Sequence, residues 1–160
     1  MRISHRVDYG VRVMVALARA ERDRPGVMVA SDALAAQDSI PPSFLDDILR
    51  ELRNADLVRS RRGTEGGWAL NRPSTAITVA DIIRALEGPL ASVRGLRPDQ
   101  LAAHGFEDTQ TSLWVAVRVA LRSVLEAVAV SDLASNSLPP AVVALLDEPD
   151  AWSTAYQRSS

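Results

Sequence analysis

A helical run that ends near Leu52-Arg53 is followed by Leu57-Val58, then by Arg59-Ser60-Arg61-Arg62-Gly63-Thr64-Glu65-Gly66-Gly67, then by Trp68-Ala69-Leu70. Two short apolar pieces around a glycine-bearing turn predict a β-hairpin. Its position after a helix gives the order helix, strand, basic turn, strand, which is the layout of a winged helix. Gly63, Gly66 and Gly67 are read as turn formers, because glycine tolerates positive φ and close backbone approach. A phosphate-cradling loop would run into a helix N-terminus; here a strand follows, so that use of the glycines is set aside. Three arginines fall within four positions, and strand alternation puts Arg59 and Arg61 on one face and Ser60 and Arg62 on the other.

The flanking periodicities supply the helices. Val7, Val11, Met14 and Ala18 mark one face of a helix over 4–21, closed by the charged run before Pro25-Gly26. A second helix spans 31–37, with Ser31 as its expected N-cap. Pro42 suits the first position of a third helix, where its missing N–H costs nothing. In that helix Leu45, Ile48, Leu49 and Leu52 recur at core spacing, leaving Ser43, Asp46, Asp47, Arg50 and Arg53 outward. Thr78-Val79-Ala80-Asp81 is a capping-box-like start to a fourth helix with a Val79, Ile82, Ile83, Leu86 face, stopped by Gly88-Pro89. Residues 90–108 read as an irregular loop, with one or two helical turns over 98–103.

Residues 109–130 predict the longest helix. Its polar stripe is narrow (Arg118, Arg122, Glu126), and Leu113, Trp114, Val117, Leu121, Val124, Leu125 and Val128 are among the apolar residues covering the remainder. A helix apolar over so much of its circumference is buried, and a small domain has little interior to spare. Burial against a second copy in a two-fold homodimer is the economical reading. The expected division is therefore a winged helix over 1–89, a loop over 90–108, a dimerisation helix within 109–134 and a loosely held tail over 135–160. The fold class is mainly α with a small β wing.

Composition narrows the chemistry. The chain has no cysteine, which excludes disulfides and thiolate ligands or nucleophiles. The net charge of −2 is unusual for a DNA-binding protein, yet the halves differ: residues 1–89 hold thirteen Arg against twelve acids, and 90–160 hold five against eight. Only the local field matters at a phosphate. No run approaches the roughly 18 apolar residues of a membrane span, and the start lacks a leader's apolar core, so a cytoplasmic location is expected. His104, Glu107 and Asp108 lack a metal-ligand spacing, and no catalytic frame is recognisable, so an enzyme is not expected.

With the elements placed, the chain resembles the Rrf-two family of bacterial transcription regulators, which includes the IscR, NsrR, RsrR and CymR types. The matching residues are Met1-Arg2-Ile3-Ser4 with Tyr9, Leu45-Asp46 through Leu57-Val58, and Arg62-Gly63-x-x-Gly66-Gly67-Trp68-x-Leu70. Further on come Ile77-Thr78-Val79, Ile82-Ile83-Arg84-Ala85-Leu86-Glu87-Gly88-Pro89, Leu113-Trp114 and Ser131-Asp132-Leu133. The resemblance covers about residues 1–134. It implies a homodimer on double-stranded palindromic DNA, with Arg62 beside Gly63 entering a minor groove; Arg59 and Arg61, alternating along the strand, are candidate phosphate contacts. It also implies that Ser43, Phe44, Asp46, Asp47 and Arg50 lie on the recognition helix, with Arg2, Ser4 and His5 near the backbone.

Many members hold an iron–sulfur cluster through three cysteines in the loop equivalent to 90–108. Without sulfur ligands no such cofactor is expected here. Asp8 and Arg12 stand where some members place cluster ligands. With Tyr9 they are candidates to line a small-molecule effector pocket between the first, fourth and long helices; a protein effector and no effector at all are the other options. Glu65 and Asp56 depart from the small or glycine residues usual at those positions, and Asp56 suggests a looser exit from the third helix. Repression by promoter occupancy is the expected output. The alternative is a winged-helix protein-docking module that does not bind DNA.

Overall fold

The hydroxyl of Ser4 accepts from the Val7 N–H at 3.2 Å and so caps α1 (His5–Asp23). The computed structural model describes residues 3–149 and 151–153. Helices α2 (Ser31–Asp38) and α3 (Pro42–Asn54) follow, Pro42 opening α3 as the sequence leads one to expect. The capping box of Thr78 and Asp81 is present at the head of α4 (Val79–Glu87), with Thr78 N–H donating to Asp81 Oδ2 at 2.9 Å.

Between α3 and α4 lies the hairpin of β1 (Val58–Arg61) and β2 (Gly67–Leu70), antiparallel, with Val58 opposite Leu70 and Arg61 opposite Gly67. The apolar stripe of α3 is fully buried: Leu45, Ile48, Leu49 and Leu52 meet Met14 and Leu17 of α1, Leu34 of α2 and Ile82 of α4 in one core. Asp56 takes the left-handed conformation (φ 60°) at the exit of α3. The turn is nonetheless closed, with Leu57 N–H donating to Leu52 O at 2.9 Å and Asn71 Nδ2 donating to Asp56 Oδ1 at 2.6 Å. Aspartate tolerates this region better than most residues.

Two expectations need correction. Ser31 is not the N-cap of α2, a position held by Ala30; its hydroxyl instead accepts from the Trp68 indole N–H at 2.9 Å. The long helix α5 (Asp108–Leu125) stops five residues before the expected Val130. The chain turns back there, and Val79 N–H donates to Val128 O at 3.0 Å while Val130 N–H donates to Ile77 O at 2.9 Å. Val128 and Val130 are both buried in the chain's own interior. Two backbone hydrogen bonds and two buried valines outweigh further turns of an exposed helix.

The next helix, α6 (Val130–Ala134), packs on α1, and Arg19 Nε donates to Ala134 O at 3.2 Å. Residues 128–134 therefore complete the core of the winged helix. The 90–108 segment holds two 3₁₀ turns, Pro98–Gln100 and Ala102–His104. Beyond α6 comes α7 (Pro140–Val143), with Val142 buried and Leu145 and Leu146 exposed.

Gly67 shows how tightly the wing is seated. Its φ is +145°, and a Cβ built there would lie 2.5 Å from Val29 O. Gly67→Ala is expected to destabilise the protein by about 2 kcal/mol or more, read as a lower midpoint in urea unfolding. An unchanged midpoint would contradict the close seating.

Candidate nucleic-acid interface

Trp68 anchors the base of the wing. Its backbone exchanges two hydrogen bonds with Val29, each 2.8 Å, and its indole N–H reaches Ser31 at the start of α2. The Arg53 guanidinium, from the last turn of α3, lies over the indole ring at 5.9 Å from its centroid, a cation–π geometry. The hairpin is thus attached to the segment before α2 and to the end of α3, so it projects from the body in a fixed direction.

The three wing arginines are not equivalent. Arg59 Nε donates to Leu70 O at 3.3 Å, and Arg61 Nη2 donates to Glu65 O at 2.8 Å. Both brace the hairpin. Arg62 is exposed beside Gly63 (φ 106°) at the tip and has no hydrogen bond or ion pair among the described residues. An unpaired guanidinium at the end of a braced hairpin is free to meet an external anion. Sequence reasoning missed Arg72, exposed just past β2 and likewise unpaired among the described residues. The spacing of α3 marks Arg53 only as outward and carries no sign of the tryptophan beneath it.

On α3, Ser43 and Asp46 are exposed, whereas Asp47 is paired with Arg50 at 2.6 Å. Phe44 is half-buried and meets the Tyr9 ring edge-on, centroids 5.8 Å apart. Ser4 is also engaged, capping α1 and donating to Glu87 Oε1. His5 is exposed beside Tyr9, and Arg2 lies outside the described residues.

A pocket of about 400 Å³ does lie between α1, α4 and α5, but Asp8, Tyr9 and Arg12 do not line it. Its wall is apolar, with Val7, Ile83, Leu121, Val124 and Leu125 prominent. Asp8 pairs with Arg12 at 2.9 Å, and Arg12 reaches Asp38 of α2 at 3.2 Å. The one-turn spacing of Asp8 and Arg12 makes them partners on a face turned towards α2. Their expected role as pocket lining is corrected accordingly. On α5, Leu113 and Val119 are 55% and 58% exposed, Trp114, Val117, Leu121, Val124 and Leu125 are half-buried, and no residue is fully buried. Val128, expected on the same face, is instead inside the chain's own core.

Residues 3–136 match the family model Rrf2, described as an iron-dependent transcriptional regulator. The chain is 47% identical over 148 residues to Rv1287 of Mycobacterium tuberculosis, named as a candidate HTH-type transcriptional regulator, covering 92% of this chain and 90% of that protein. It is 35% identical over 135 residues to the HTH-type transcriptional regulator CymR of Bacillus subtilis, covering 84% of this chain and 91% of that protein. The solved structure of B. subtilis CymR, described as the global cysteine regulator, superposes with a TM-score of 0.70 at 33% identity, over 86% of this chain and 98% of that one. T. potens IscR superposes with a TM-score of 0.66 at 29% identity, over 85% and 88%.

The donors present do not fit a family-type cluster. The chain has no thiolate to offer. In the loop that would carry it, Asp99 is held by Arg97 and Arg118. Among the described residues no three metal-binding side chains gather, His104 and Glu107 included. The mainly helical architecture with its two-stranded wing and the match over residues 3–136 agree with one another. The chain belongs to the Rrf2 family of transcriptional regulators, a family of regulators and not of enzymes.

Proposed function

We propose that the protein is a homodimeric, sequence-specific DNA-binding regulator that represses by occupying its operator, and that it does so without a cysteine-ligated iron–sulfur cluster. The observation that carries this is Arg62, an unpaired guanidinium at the tip of a hairpin fixed to α2 and α3 through Trp68. A narrow A·T-rich minor groove concentrates negative potential and attracts such a group. The exposed start of α3, with Ser43 and Asp46, would enter the major groove, where a carboxylate can accept from cytosine N4. Arg50 is tied to Asp47 and would serve as a backbone contact after rearrangement, and Arg59, Arg61 and Arg72 would add phosphate contacts along the wing.

The dimer reading rests on α5, whose Leu113 and Val119 stay open to solvent in one copy. Leu121, Val124 and Leu125 only partly cover one another around the apolar pocket, and a second copy would bury this surface. Two recognition helices would then meet half-sites about 34 Å apart or a multiple of that.

Arg62→Ala is expected to weaken binding to the DNA upstream of the protein's own gene by roughly tenfold or more at fixed salt, the cost of one groove contact. Light scattering should still give twice the chain mass. Unchanged affinity would favour a protein-docking module, and a monomer would remove the role given to α5. Freshly purified protein should lack a visible iron–sulfur absorption band; such a band would overturn the cluster-free reading.

A further inference from the structure

Segment 88–97 joins the end of α4 to the Pro98–Gln100 turn, and α5 runs beside it. Between them lies a pocket of about 320 Å³ lined by Arg84, Gly88, Pro89, Leu90, Arg97 and Arg118. Three guanidiniums from three separate elements thus border one small space. Their internal partners are too few to satisfy them. Arg97 and Arg118 share the single carboxylate of Asp99, Arg97 Nη2 at 2.5 Å from Oδ2 and Arg118 Nη1 on Oδ1.

Arg84 shares Glu126 with Arg122, whose Nε lies 2.9 Å from Oε1. The other carboxylate near Arg84, Asp81 at 3.7 Å, is already committed to the Thr78 cap. Four guanidiniums therefore rest on two freely shared carboxylates and one capping carboxylate. Arg97, with help from Arg118, holds the Asp99 carboxyl down to about 2, and Arg122 and Arg84 hold Glu126 below the usual carboxylate range.

We propose that this pocket is a binding site for a small, multiply charged oxyanion, a phosphate- or carboxylate-bearing metabolite. Guanidinium forks bind such groups bidentately, and the volume is that of a small-ligand site. An incoming dianion would take over Arg97 and Arg118 from Asp99 and add Arg84, which Asp99 does not reach. Arg84 belongs to the last helix of the winged domain and Arg118 to the proposed dimer helix, so the ligand would clamp one against the other. Its consequence for DNA rests on the regulator reading above: a ligand that sets this angle changes DNA affinity, and DNA changes ligand affinity by the same factor. Binding itself does not depend on that reading.

The test is calorimetric titration of the full chain with inorganic phosphate and, separately, citrate, against chloride at matched ionic strength. Saturable binding of one of them, one per chain, is expected, and the preferred anion distinguishes a phosphate from a carboxylate source. Arg118→Gln should weaken it at least about tenfold, as expected for loss of a charge-assisted pair. Asp99→Asn should tighten it, because the internal competitor is gone. Heats that match chloride overturn the site, as does an affinity unchanged in both variants. If Arg118→Gln fails to fold by circular dichroism, Asp99→Asn decides alone, and unchanged or weaker binding overturns the proposal. Anion binding without DNA binding would sink the regulator reading and leave this site standing; DNA binding without anion binding would sink the site alone.

Discussion

Burial of the α3 stripe fixes how α3 and the wing are presented to the outside. Leu45, Ile48, Leu49 and Leu52 are each at most 1% exposed. Each contributes about 1.5–3 kcal/mol on burial, an upper estimate for a real unfolded chain. Against a net stability of about 5–15 kcal/mol for a domain, four such residues in one helix leave α3 a single rotational setting. Rotating it would expose leucines and bury Asp46 or Arg50 without partners. The same burial brings Arg53 to the wing side, where it covers Trp68, and closes the exit turn through Asp56 and Asn71. The direction of the wing therefore follows from the packing of the helix before it.

Within that frame the charges divide their work. Arg59 and Arg61 are spent on hairpin carbonyls and Arg53 on an indole, which leaves Arg62 at the tip without an internal partner. A similar economy holds where α4, the 88–97 segment and α5 meet. Arg97, Arg118, Arg84 and Arg122 share too few carboxylates, and they sit where α5 meets the body. Exposed ion pairs contribute little to stability. Their clustering at this junction is better explained by what the guanidiniums can bind and by the helix angle that they hold.

Much of the fold was legible because its signals are local. The Thr78–Asp81 box, Pro42 at the head of α3, the glycines of the wing and the leucine spacing each act within one or two turns, and each appears where the residues indicate. What could not be read depends on partners distant in sequence. The apolar period of α5 runs on through Val128, and nothing nearby says that Ile77 and Val79 offer a better backbone partner some fifty residues earlier. Ser31 has a cap's chemistry, but Trp68 claims its hydroxyl. Phe44 is ambiguous until Tyr9 is seen beside it, and the family resemblance points Asp8 and Arg12 at a pocket that their own pairing turns them away from. For the proposed DNA contacts, sequence identified the wing tip, while side-chain pairing separated Arg62 from its two neighbours.

The account depends on two copies presenting α3 and the wing to one duplex. Hydroxyl-radical footprinting on the DNA upstream of the protein's own gene tests this most directly. It should give two related blocks of protection, with centres about one helical turn (34 Å) or a multiple of it apart, flanked by protected A·T-rich minor grooves. A single unpaired block, or none at protein concentrations that saturate non-specific binding, would contradict it.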